Sequence, residues 1–208
     1  MISPNDILVT KTDLTLFSTV LVTSNLVLSQ LSGSKLFDES WMNFSVATLL
    51  GVALHGLLTN KLSAMANERL NVDNKGIKQS VYDLVKFGTI FASQKAIVDY
   101  IEGRQIQFDQ KWAMTSGLTI AGYAAFNMIE NMVPRVTPDY QPLVNDLIKV
   151  SMGALLANFV VDGTINQSHL IGLGATLSGF VAFHLGTKRL VVPQEKFSQV
   201  GGHSVLPQ

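Results

Sequence analysis

The 208-residue chain is 47% hydrophobic and 14% charged, against roughly 25% charged in ordinary soluble domains, with a mean hydropathy of +0.29. A formal net charge of zero removes any bulk electrostatic case for nucleic-acid binding, and the lack of cysteine excludes disulfides, thiolate metal ligands and cysteine nucleophiles. The mean hydropathy is modest, so a soluble all-α bundle stands beside a membrane protein as an alternative at this stage.

In chain order, MISPNDILVTKTD lacks the basic start and small-residue cleavage site of a signal peptide, so the chain's own helices are expected to direct insertion. Leu14 to Ser34 and Ser40 to Asn60 carry no charged side chain. Each is long enough to cross a hydrocarbon layer of roughly 30 Å as a helix. Residues 61–79 read as a polar linker, in which LSAMANERL predicts a short interfacial helix. Ser80 to Ile101 is a weaker span, interrupted by Asp83, Lys86, Lys95 and Asp99. Trp112 to Ile129 is charge-free, and the three prolines between Met132 and Pro142 predict an irregular connector. Leu143 to Ile165 is again weaker, with Asp146, Lys149 and Asp162, whereas Gly163 to Thr187 is charge-free. A polar tail, 192–208, is expected to reach for a neighbour or to be mobile.

Internal register promotes the two weaker stretches to spans. Asp13-Leu14, Asp83-Leu84 and Asp146-Leu147 align, and Phe17-Ser18-Thr19 then lies over Phe87-Gly88-Thr89 and Val150-Ser151-Met152. After a one-residue insertion, Phe37-Asp38 with Trp41 matches Phe108-Asp109 with Trp112, and His169 stands where a third tryptophan would be. The second helices align on Thr48 to Gly51, Thr119 to Gly122 and Thr176 to Gly179. The expected fold is therefore an all-α membrane protein with six transmembrane helices, built as three repeated helical hairpins over 10–60, 80–132 and 143–191. Nine Lys/Arg on the side of the termini face three, Lys35, Arg104 and Lys111, on the other. That bias predicts both termini on the cytoplasmic or equivalent side, with Trp41 and Trp112 as interfacial anchors on the opposite face.

One face of each first helix carries a polar or small stripe: Ser18, Asn25, Ser29; Gly88, Lys95, Asp99; Ser151, Asn158, Asp162. Ionisable residues inside spans suggest a function, here a conduit past Asn25, Lys95, Asp99, Asn158 and Asp162. The plainer alternative is that small and polar residues glue helices together. Lys86 and Lys149 are expected to snorkel to the terminal side beside Asp83 and Asp146. His55 and His184 fall near matching places late in their helices, where a packing role outweighs a metal or proton role because no partner ligands cluster with them. No phosphate loop, dinucleotide fingerprint or hydrolase motif is present. No enzyme activity, cofactor or small-molecule substrate is expected.

The segments YDLVKFGTIFAS and LVLSQLSGSKLFDESWMNFSVATLLGVALHGLLT resemble small repeat-containing membrane proteins of large icosahedral DNA viruses. The likeness rests on the start Asp83 to Thr89, the turn Leu31-Ser32-Gly33-Ser34 and Asp109 to Trp112, and covers about three quarters of the chain; the third copy is eroded. It implies a structural component of the virion inner membrane, a minor capsid protein whose partners are the lipid bilayer and other capsid or membrane proteins, met through loops and the C-terminal tail. The rival expectation is a small polytopic transporter or channel with a polar path through Lys95, Asp99 and Asp162.

Overall fold

The computed structural model describes residues 4–70 and 74–189, and within them the side chains of 7–58 and 74–187. Among the described residues six α-helices follow in chain order: α1 (Pro4–Ser32), α2 (Glu39–Leu70), α3 (Lys75–Ile101), α4 (Gln110–Ile129), α5 (Gln141–Asp162) and α6 (Gln167–Arg189). The polar linker expected over 61–79 is mostly helix. α2 runs on to Leu70 and α3 begins at Lys75, where Asn74 caps it by accepting hydrogen bonds from Gly76 N and Ile77 N. The connector after α4 is irregular as expected, apart from one 3-10 turn over Glu130–Met132. The tail 192–208 lies outside the described residues.

Local chemistry sets the helix ends. α1, α3 and α5 each give way to a glycine with left-handed φ: Gly33 at 68°, Gly103 at 66° and Gly163 at 71°. A Cβ would be strained there, and such a glycine lets the chain leave the helix sharply. α2 and α4 start from an aspartate cap, Asp38 Oδ1 accepting from Trp41 N and Asp109 Oδ1 from Trp112 N, both at 2.7 Å. α6 uses the same device with Asn166 Oδ1 and His169 N at 3.0 Å. Phe37 packs on Trp41 and Phe108 on Trp112 with ring centroids 4.8 Å apart in both cases. The aspartate thus satisfies an otherwise orphaned amide while the aromatic pair fixes the entry angle of the chain.

The helices pack as a closed ring. Each touches its neighbours in chain order, and α6 returns to pack on α1. Contact is more extensive between consecutive helix pairs (α2 with α3, α4 with α5, α6 with α1) than within them. Glycine opens those three seams. A Cβ built on Gly51 would lie 3.0 Å from Ile90 O, one on Gly122 2.5 Å from Gly153 Cα, and one on Gly179 2.5 Å from Val20 Cα. Val20, Ile90 and Gly153 all stand seven residues after the aligned aspartates, and the three glycines are the aligned ones of Thr-x-x-Gly.

Beside an apolar core, the interior also holds charged and amide side chains, and the surface is strongly apolar. Asp13, Asn25, Asp83, Asp99 and Asn127 are buried, whereas Leu26, Phe44, Leu54, Phe159 and Leu170 are exposed. Exposed apolar surface on this scale marks a lipid or protein contact, which counts against the soluble alternative. Four helices, α1, α2, α5 and α6, are long and apolar enough to cross a membrane. Only 11% of the apolar stretch of α1 and of α5 is fully buried; most of the rest is half-buried. The assignment differs from the expectation: α5 joins this set and α4 does not. α4 is charge-free after Lys111, but Thr115, Ser116, Thr119, Tyr123 and Asn127 dilute it, whereas between Lys149 and Asp162 α5 carries no charge.

Candidate functional site

The ionisable side chains gather in two layers, one toward the ends of the ring that hold the start of α1 and one at the hairpin turns. In the first, Lys86 of α3 reaches Asp13 of α1 at 2.7 Å, with side chains 13% and 7% exposed. Lys149 of α5 pairs in the same way with Asp83 of α3, at 16% and 3% exposed. Neither α1 with α3 nor α3 with α5 is a neighbouring pair in the ring, so both bridges reach across its interior. The expectation that Lys86 and Lys149 snorkel outward is therefore overturned. A carboxylate one hairpin upstream lies within reach, and pairing offsets the desolvation that water would otherwise relieve.

Asp83 is the most heavily partnered of these groups. Asn127 Nδ2 donates to its Oδ2 at 2.7 Å and Gln79 Nε2 to its Oδ1 at 3.2 Å, beside the Lys149 ammonium. Asp146, in the same register, has no such lysine, since Leu16 occupies the aligned place in α1. Its partner is His184, whose Nε2 lies 2.8 Å away. His184 and Asn127 both stand five residues after the seam glycine, where α2 has Gly56. His55 is one place earlier, aligned with Phe126 and Phe183, and sits edge-on to Tyr82 at 5.8 Å. The two histidines are thus not counterparts. Each lysine also lies over a tyrosine ring, Lys86 6.0 Å from Tyr82 and Lys149 5.8 Å from Tyr123, within or near the range for cation–π attraction.

The second layer contains the stripe picked out in the sequence, and the structure disperses it. Asn25 Oδ1 accepts from Phe37 N at 3.0 Å, so it tethers the turn of its own hairpin. Asp99 pairs with Lys95 one helical turn earlier, with Arg104 at 3.2 Å, and accepts from Gln107 N at 3.5 Å. Asp162 is exposed and meets His169 at 3.2 Å and Lys111 of α4 at 3.4 Å. Asn158 is half-buried and, among the described residues, bonds to neither layer. Lys95 and Asp99 are together as a local pair; Asp162 belongs to a different turn. Trp41 and Trp112 are half-buried on their phenylalanines at the N-termini of α2 and α4.

The Thr-x-x-Gly threonines turn their hydroxyls back on their own helices. Thr48, Thr119 and Thr176 donate to Phe44 O, Thr115 O and Gly172 O at 2.8, 2.8 and 3.0 Å. Thr48 alone also accepts across a seam, from Gln94 Nε2 at 2.7 Å. The belt formed by Asp13, Lys86, Asp83, Lys149, Asp146 and His184 was not visible as a unit in the sequence. Its signal was present nonetheless, because Lys86 and Lys149 share one register position, three residues after the aligned aspartate.

No family model, curated protein or solved structure matches the chain.

Proposed function

We propose that this chain is a structural membrane protein that crosses the bilayer six times as three hairpin repeats, with both termini on one side. In this reading it serves a large DNA virus particle as a minor capsid or inner-membrane component, linking membrane and capsid shell through its loops and tail. One observation carries the scaffold over the conduit: Asn25, Asp99 and Asp162, which a conduit would need along a shared path, each engage the turn of their own hairpin. Support for the repeat comes from the three glycine seams, which fall at aligned positions. α3 and α4 count as spans by that register, lying in one ring with the four more apolar helices. The viral setting rests on the resemblance of the hairpin segments.

Two measurements test this. Proteoliposomes holding the full chain and a pH-sensitive dye should show no proton flux above empty vesicles. A flux abolished by Lys95→Ala or Asp99→Ala would establish the conduit and end the scaffold reading. Proteomics of purified virus particles should recover the chain in the membrane–capsid fraction, cross-linked to shell proteins through linker or tail lysines such as Lys78 or Lys196; recovery from host membranes alone would remove the viral role.

A further inference from the structure

A groove of about 740 Å³ runs along the outside of the ring between α1 and α2, within the roughly 300–1,000 Å³ typical of ligand sites. Ile7, Leu14 and Ser18 of α1 and Gly56 and Leu57 of α2 line it, and Lys11 stands at its edge. Ile7 of α1 and Leu57 of α2 are 62% and 55% exposed, whereas Asp13 and Val20 of α1 are buried. The hydroxyls of Thr15 and Thr19 in its wall donate back to Lys11 O and Thr15 O at 2.9 and 2.8 Å. Those hydroxyls are thereby satisfied within the helix, and the groove's lining is largely apolar. From Ile7 to Thr19 it follows α1 for about 18 Å at 1.5 Å per residue, close to one leaflet of a hydrocarbon layer roughly 30 Å thick.

Lys11 has no equivalent elsewhere in the chain. The aligned positions are Val81 and Val144, and among the described residues Lys11 takes part in no ion pair. We infer that the α1–α2 groove binds one anionic phospholipid, its acyl chain laid along α1 and its phosphate on the Lys11 ammonium. An exposed cation beside an apolar channel of leaflet depth matches the two ends of that molecule. The inference rests on the membrane reading above.

The test uses the full chain in phosphatidylcholine vesicles doped with spin-labelled phosphatidylglycerol or spin-labelled phosphatidylcholine. The wild type should immobilise several-fold more of the anionic probe. Lys11→Gln should equalise the two, whereas Lys35→Gln, at the other face, should preserve the preference. Ser18→Leu keeps the charge but fills the groove, and should also abolish the preference, which covers the case of a misfolded Lys11 variant. Equal immobilisation by the wild type, or a preference that survives in folded Lys11→Gln or Ser18→Leu protein, overturns the site. Vesicle flotation separates the two levels. A chain that fails to float refutes the membrane reading together with the site, and a chain that floats without preference refutes the site alone.

Discussion

Lys86 lies three residues after Asp83 in sequence, yet its ammonium bonds to Asp13, while Asp83 receives Lys149 from the next hairpin. A buried charge left without its partner is far costlier than a buried pair, by about 3–5 kcal/mol against near neutrality when both are replaced. Lys86→Met is therefore expected to destabilise the folded chain by about 3–5 kcal/mol, with the Asp13→Leu/Lys86→Met double variant recovering most of the loss. Denaturant unfolding of the three proteins in one detergent measures both. A double variant as unstable as the single one would mean that Asp13 and Lys86 act separately. At this scale the sequence was only partly legible. Asp83, Lys86 and Lys149 stood out as charges in apolar stretches, but a helix can turn a lysine outward to water or inward to a carboxylate, and only the positions of the other helices decide which.

Helix–helix seams depend on what glycine omits. Gly122 meets the backbone of Gly153, whereas a Cβ on Gly88, in α3, finds nothing within 4 Å. Gly122→Ala should cost about 1–3 kcal/mol through overpacking. Gly88→Ala should be neutral or slightly stabilising, because alanine is the better helix former. Thermal unfolding of both variants in the same detergent checks the contrast; equal losses would mean that small size at these positions serves no close approach. Elements were the most readable level of the sequence. Charge-free runs located α1, α2 and α6 well, and the Phe-Asp-x-x-Trp pattern marked the starts of α2 and α4. The apolar part of α2 ends where the span over Ser40 to Asn60 was placed, but the helix runs on, because a polar surface does not end a helix and LSAMANERL is built of helix formers that carry α2 to Leu70.

Ring closure belongs to the whole molecule. Nothing in a hydropathy profile says that the last helix returns to the first, yet α6 packs on α1 as closely as the helices of the other seams pack on each other. The closing seam is testable at its glycine. A Cβ built on Gly179 would sit 2.5 Å from Val20 Cα, well inside van der Waals contact, so Gly179→Leu should force α6 away from α1 and lower the thermal midpoint in detergent. Gly174→Leu, where a Cβ meets nothing within 4 Å, should leave the midpoint nearly unchanged. Equal midpoints for the two variants would mean that α6 does not close tightly on α1. The closing contact was illegible because residues so distant in sequence leave no local pattern, although the alignment of Val20 with Ile90 and Gly153 marked the face concerned.

That closing seam orders events during synthesis. The seams of α2 with α3 and of α4 with α5 join helices consecutive in the chain, so each forms as soon as the later helix emerges. α1 must wait for α6, so the half-made protein is an arc in which the face of α1 around Val20 stands without its partner. During that interval the α6 of a second chain would fit it as well as the chain's own. A slower arrival of α6 would therefore favour two chains that exchange their final helices over a closed monomer.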